Sequence, residues 1–182
     1  MTKCAELSPE YISLKLQLLD IKQTELAYMA GIFDGEGNLS FRVMPRKAGN
    51  KCLSAGMTIA NTNTSVLKWC RDKFGGDLYG QSGKNKYAVF TWQLRKRESV
   101  NFLLTAIMPF LIIKRPEAEI YCRGLRLITS NNGTNKGVDR HHCSIRKPDG
   151  YWEPLEQIEK ELRQAKNDYK HLASGDLHSC IN

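Results

Sequence analysis

The apolar positions of this chain change their spacing several times, and each change marks an element. Thr24 stands as a cap before Glu25, and Leu26, Ala27, Met29, Ala30, Ile32 and Phe33 then follow at helical spacing until Gly35 and Gly37 end the run. The period next becomes two. Leu39, Phe41 and Val43 alternate with Asn38, Ser40, Arg42 and Met44, which predicts a half-buried strand. After a basic turn over 45–51, Leu53, Ala55, Met57 and Ile59 alternate with Ser54, Gly56, Thr58 and Ala60 in a second strand. A helix follows over 64–74, with Val66, Leu67, Trp69, Cys70 and Phe74 as its buried positions and Gly75-Gly76 as its stop.

A hairpin comes next, with strands over 77–82 and 87–95 and a turn over 83–86. In its second strand Ala88, Phe90, Trp92 and Leu94 face one way, and Tyr87, Val89, Thr91, Gln93 and Arg95 the other. Apolar helices are expected over 100–108, broken by Pro109, and over 117–128. A loop over 130–137 leads to a charged helix over 154–172, whose Glu/Lys pairing reads most simply as a solvated face. Two strands per helix is an α+β order. It divides the chain into an N-terminal extension over 1–23, a core over 24–129 and a tail over 130–182.

Charge changes the picture. Lys and Arg number 27 against 19 Asp and Glu, a net charge of +8, which favours a polyanionic partner. The polar strand faces carry Asn, Ser, Arg, Thr, Tyr and Gln, side chains that hydrogen-bond base edges in a major groove, although a merely solvated sheet face has the same composition. The six cysteines are scattered singly, and a cluster at His141, His142 and Cys143 lacks a second pair at zinc-ligand spacing. No run approaches the roughly 18 apolar residues of a membrane span. The first ten residues lack the basic-then-apolar order of a secretion signal, so an intracellular protein with free thiols is expected.

The chemistry concentrates in Met29-Ala30-Gly31-Ile32-Phe33-Asp34-Gly35-Glu36-Gly37. Ala27, Gly31 and Gly35 recur every four residues, leaving one helix face with nothing larger than a methyl group, against which a second copy packs closely. Glycine costs about 1 kcal/mol inside a helix, so two of them need a reason. Two acids at the carboxyl end oppose the helix dipole, a conflict that a bound divalent cation reverses. A buried helix ending in an acidic turn fits the same residues.

This segment resembles the LAGLIDADG motif of homing endonucleases. Met29 replaces the first Leu, Ile32 and Phe33 fill the next apolar positions, Gly35 replaces Ala, and Glu36 replaces the second acid. The resemblance runs over 26–128, through the helix containing Trp69 and the Pro109-Phe110-Leu111-Ile112-Ile113-Lys114 segment, and only one motif is present. It implies an αββαββα fold, a curved antiparallel sheet with helices on one face, and the single-motif homodimeric branch.

It also implies an activity: hydrolysis of double-stranded DNA at a long pseudo-palindromic site, with Mg²⁺ or Mn²⁺. Glu36 and the carbonyl of Gly35 are then the metal ligands, Asp34 a helix-end residue, and Lys114 and Asn63 residues of the reaction centre. Leu67 falls where some relatives are basic, and Lys68 is the neighbour able to substitute. Ala27, Gly31 and Gly35 form the dimer face. Ser40, Arg42, Thr58, Tyr87, Gln93 and Arg95 read bases, while Arg46, Lys47, Lys51, Lys84 and Lys86 in the turns meet phosphates. An intron-RNA maturase and an inactive DNA-binding regulator are the alternatives on the same scaffold.

Overall fold

The computed structural model describes Pro9, Ile12, Lys15, Leu16 and residues 19–46, 51–81, 88–130 and 149–175. Helix α1 (Gln23–Glu36) leads into strands β1 (Gly37–Pro45) and β2 (Lys51–Asn61), then helix α2 (Thr64–Phe74) and strands β3 (Asp77–Gln81) and β4 (Val89–Leu94). Helix α3 (Arg97–Ile107), a 3₁₀ turn (Met108–Phe110), α4 (Arg115–Ser130) and α5 (Glu153–Gly175) complete it. The sheet is antiparallel in the order β1-β2-β4-β3.

The alternation read from the sequence sets the two faces. Leu39, Phe41, Met57, Ile59, Trp92 and Leu94 are buried beneath the helices. Register carries the other face across all four strands: Asn38 lies opposite Thr58, Thr58 opposite Gln93, and Gln93 opposite Asp77. The helices lie on the buried face, so the polar face is left open, as expected for a half-covered antiparallel sheet.

Both boundaries of α1 differ from expectation. Helix α1 starts earlier, with Lys22 rather than Thr24 at its cap, because the Glu25 carboxylate accepts a 2.9 Å hydrogen bond from the Lys22 N–H. Gly35 lies inside the helix, which ends only at Glu36. Gly37 turns directly into the strand in extended conformation, and a Cβ there would run into the Phe33 ring. Gly76 likewise has to be glycine: its φ is +91°, and a Cβ would meet the Gln93 carbonyl at 2.6 Å.

The largest correction concerns α5, which is not a solvated helix. Leu155, Ile158 and Leu162 are buried in the same core as the sheet, together with Tyr151 from the turn that precedes it. Glycine makes this possible: a Cβ on Gly124 of α4 would press on Ile158 and Phe41, so its absence lets α4, α5 and β1 pack closely. β1 is an edge strand, and α5 occupies its open side. The Val43 N–H donates to Glu159 Oε2 at 2.9 Å, and Lys166 Nζ donates to the Leu39 carbonyl at 2.5 Å. Surface charge pairing hid the apolar stripe of a helix that also satisfies strand groups.

Cys52, Cys70 and Cys122 are free thiols, and burial pushes Cys70 and Cys122 up to about 12, which makes them inert packing residues. His141, His142 and Cys143 lie outside the described residues. Among the described residues no helix is long and apolar enough to cross a membrane.

Candidate reaction centre and nucleic-acid face

Helix α1 ends beside the segment that opens α4, and the two are stitched together by Asp34 and Lys114. The Asp34 carboxylate accepts backbone N–H bonds from Ile112 (2.8 Å), Ile113 (3.3 Å) and Lys114 (2.8 Å). Three successive N–H groups around one carboxylate form a nest that offsets its charge. In return, the Lys114 side chain donates to the Phe33 carbonyl at 3.1 Å and to the Asp34 carbonyl. A cation thus caps the negative end of α1 and answers the conflict that two acids create there. Burial draws the Lys114 ammonium below the ordinary lysine range, against the opposing pull of Glu117, Asp34 and Glu36.

Asp34 is therefore a structural clamp. Asp34→Ala removes the acceptor of three N–H groups, and we expect a stability loss of about 1–3 kcal/mol together with weaker attachment of the 111–114 segment. Chemical denaturation of the variant checks the first, and amide exchange at Ile112–Lys114 the second. Wild-type values for both contradict the clamp.

Glu36 is placed differently. It is the last residue of α1, exposed, and makes no hydrogen bond or ion pair among the described residues. Lys114 takes the carbonyls of Phe33 and Asp34, and the Gly35 carbonyl belongs to the same last turn, where carbonyls lack helical partners. The donors available to a cation are oxygens only, which suits Mg²⁺, Mn²⁺ or Ca²⁺. They do not make a closed site: among the described residues no cluster of three or more His, Cys, Asp or Glu side chains occurs. This donor set fits a cation whose shell is completed from outside the chain, by phosphate oxygens and water.

Asn63 caps α2, its Oδ1 accepting from the Ser65 N–H at 2.9 Å, while its own N–H donates to Asn61 Oδ1 at 2.8 Å. Since Gly37 pairs with Ile59, the end of β2 and Asn63 lie at the same end of the sheet as Glu36. Leu67 is fully buried in the core, and Lys68 is exposed without a hydrogen bond or ion pair among the described residues.

Ser40, Arg42, Thr58 and Gln93 lie on the polar face. Arg42, Arg46 and Arg95 are exposed, Arg46 beside the Cys52 sulfur and Arg95 over the Tyr79 ring. Lys51 departs from expectation. It opens β2 with the phase of the core-facing residues and pairs with Glu156 of α5, so it is turned away from that face. Lys47, Lys84, Lys86 and Tyr87 lie outside the described residues. On α1, Ala27, Gly31 and Gly35 are all exposed, and a Cβ on either glycine would meet nothing within 4 Å. Sequence reading missed two residues next to this centre, Glu117 and Lys166. Their only local signal was a Pro-Glu helix start and one more charge on a charged helix.

No family model matches the chain. It is 22% identical over 105 residues to the DNA endonuclease I-CreI of Chlamydomonas reinhardtii, which is 58% of this chain and 64% of that protein, so it spans less than two thirds of that relative's length. Among solved structures, I-SmaMI bound to uncleaved DNA in the presence of calcium ions superimposes with a TM-score of 0.54 at 18% identity, over 76% of this chain and 45% of that one. The group I intron-encoded I-CeuI complexed with DNA gives 0.52 at 16% identity, over 69% of this chain and 68% of that one. The solved structures establish the fold, and the nine-residue motif and the curated relative add a likeness in sequence to the LAGLIDADG homing endonucleases.

Proposed function

We propose that the protein is a site-specific DNA endonuclease, acting as a homodimer with Mg²⁺ or a similar divalent cation. The observation that carries this reading is the contrast between the two motif acids. Asp34 is fully engaged in holding the structure together, while Glu36, two residues on, is exposed and unengaged at the end of the same helix. A carboxylate left free beside capped helix carbonyls is a cation ligand in waiting.

Glu36 and the Gly35 carbonyl would hold the cation, which when bound lowers the pKa of water and neutralises charge developing on phosphate. The chain's own residues set the stage for this. Lys114 caps α1 and adds positive charge beside Glu36, and Asp34 fixes the segment that carries Lys114. Asn63, as cap of α2, stands ready to orient water at the same sheet end.

The sheet's polar face supplies DNA recognition. Arg42, with Ser40, Thr58, Gln93 and Arg95, is our set for base readout, and Arg46 for phosphate. Two subunits meet along Ala27, Gly31 and Gly35, with Ile112, 87% exposed, beside the α1 end as further apolar surface seeking cover. Cyclic two-fold symmetry then requires a pseudo-palindromic target.

The test presents the purified full chain with Mg²⁺ and a plasmid library of randomised sites, followed by sequencing of the cut ends. Double-strand cuts at one recurrent pseudo-palindrome are expected. Binding without cutting would replace this reading with a DNA-binding regulator, and intron splicing without DNA cutting would replace it with a maturase.

A further inference from the structure

We propose that the groove between β1 and α5 is a seat for a backbone phosphate of bound duplex DNA, with Arg163 and Lys166 of α5 as its cations. The proposal rests on the reading of the polar face as the DNA surface given above, and it adds α5 to that surface.

A groove of about 130 Å³ lies along the open side of β1. Asn38, Ser40 and Arg42 line it from the strand, and Glu159, Arg163 and Lys166 line it from the helix. Three cations against one carboxylate leave a surplus of two positive charges. The carboxylate is already engaged on both oxygens. Glu159 Oε2 accepts from the Val43 N–H at 2.9 Å, and Oε1 accepts from the Arg163 guanidinium at 3.0 Å. Lys166 Nζ is held at the groove by two uncharged acceptors, Asn38 Oδ1 at 2.6 Å and the Leu39 carbonyl at 2.5 Å. A guanidinium and an ammonium around a small polar groove suit a phosphate, which offers charge and several acceptor oxygens together.

The position of the groove says which phosphate. Asn38, Ser40 and Arg42 belong to the polar face, so the groove is continuous with it. Neighbouring strands lie about 4.8 Å apart, which makes a four-stranded sheet roughly 14 Å wide between its outer strands. The major groove of B-DNA is about 12 Å wide. A sheet whose strands follow that groove therefore brings its outer strands against the walls, and the walls are phosphate backbone. β1 is an outer strand, and α5 stands just beyond it. Strand side chains then face the bases while the cations of α5 face the wall. Sealing the strand edge needs only Glu159 and Lys166, which hold the strand groups. Arg163 holds none of them: its side chain is 73% exposed and bonds to Glu159 alone among the described residues.

The test measures binding rather than cutting. Full-length wild type, Arg163→Gln, Arg163→Lys and Lys160→Gln are titrated against labelled duplexes of several sequences over a range of salt concentrations, without Mg²⁺. Arg163→Gln should bind every sequence about three- to tenfold more weakly, and its slope of log affinity against log salt should fall by about one per subunit. Arg163→Lys keeps the charge and should keep the slope. Lys160 is exposed on the same helix but does not line the groove, so Lys160→Gln should stay near wild type despite the same change in net charge. Arg163 gives up one surface ion pair, which contributes little to folding.

Wild-type affinity and slope in Arg163→Gln, or an equal loss in Lys160→Gln, would overturn the proposal and leave the endonuclease reading intact. A slope change confined to RNA would overturn it as well. The expected slope change in a protein that never cuts DNA would remove the endonuclease reading and leave the phosphate seat standing. A wild type that binds no duplex would end both.

Discussion

Glu36→Gln is expected to slow DNA cutting by about three orders of magnitude, the rate equivalent of the several kcal/mol that a bound cation contributes to charge stabilisation. Binding to the selected site should persist, because Glu36 belongs to the end of α1 and not to the polar face of the sheet. Glutamine keeps the shape and hydrogen-bonding reach of glutamate but gives up its charge, which is what a divalent cation needs. Folding should be unaffected, since the Glu36 side chain is exposed and makes no bond that the substitution breaks. Gel-shift and cleavage assays on one preparation, at matched salt, settle it. Near-normal cutting by this variant would remove Glu36 from the mechanism.

Gly31→Leu is expected to give a folded protein that no longer pairs and no longer makes double-strand breaks. The sign of the effect within one chain makes the experiment informative. A side chain at Gly31 meets nothing within 4 Å in the single subunit, and leucine is a better helix former than glycine by about 0.7 kcal/mol. The isolated subunit should therefore melt no lower than wild type, and any loss must come from a neighbour that the leucine displaces. Light scattering at micromolar concentration should show dimer for wild type and monomer for the variant. With one motif per chain, an unpaired subunit holds one Glu36, half of what two strands require. A wild type that stays monomeric both free and on DNA would sink the symmetric mechanism, and the palindromic target with it.

The sheet was legible because β1, β2 and β4 each have one dry face, so the period of two survives in the letters: Leu39, Phe41, Met57, Ile59, Trp92 and Leu94 all face the core as their alternation says. The extent of α2, Thr64–Phe74, was equally readable from its flanking polar and glycine residues. The motif points to Glu36 by type and place, and the structure leaves that side chain exposed at the end of α1. What no pattern along the chain displays is pairing between distant segments. The Asp34 nest joins residues 78 to 80 positions apart, and the Lys166 bond to Asn38 spans 128. Lys51 misled for a related reason: a lysine in a basic turn looks solvated until Glu156 arrives from α5. Glu117, an acid among polar neighbours in sequence, is buried by residues that only the tertiary fold brings to it.

The seating of α5 against β1 has a consequence for the solution behaviour of the chain. An uncovered outer strand offers a row of unpaired N–H and C=O groups to any passing extended segment, and so seeds sheet growth between molecules. Here Glu159 and Lys166 occupy members of that row on Val43 and Leu39. The opposite border, β3, has only five residues. The last described helix therefore guards this edge against intermolecular β-aggregation while the polar face of the sheet stays uncovered.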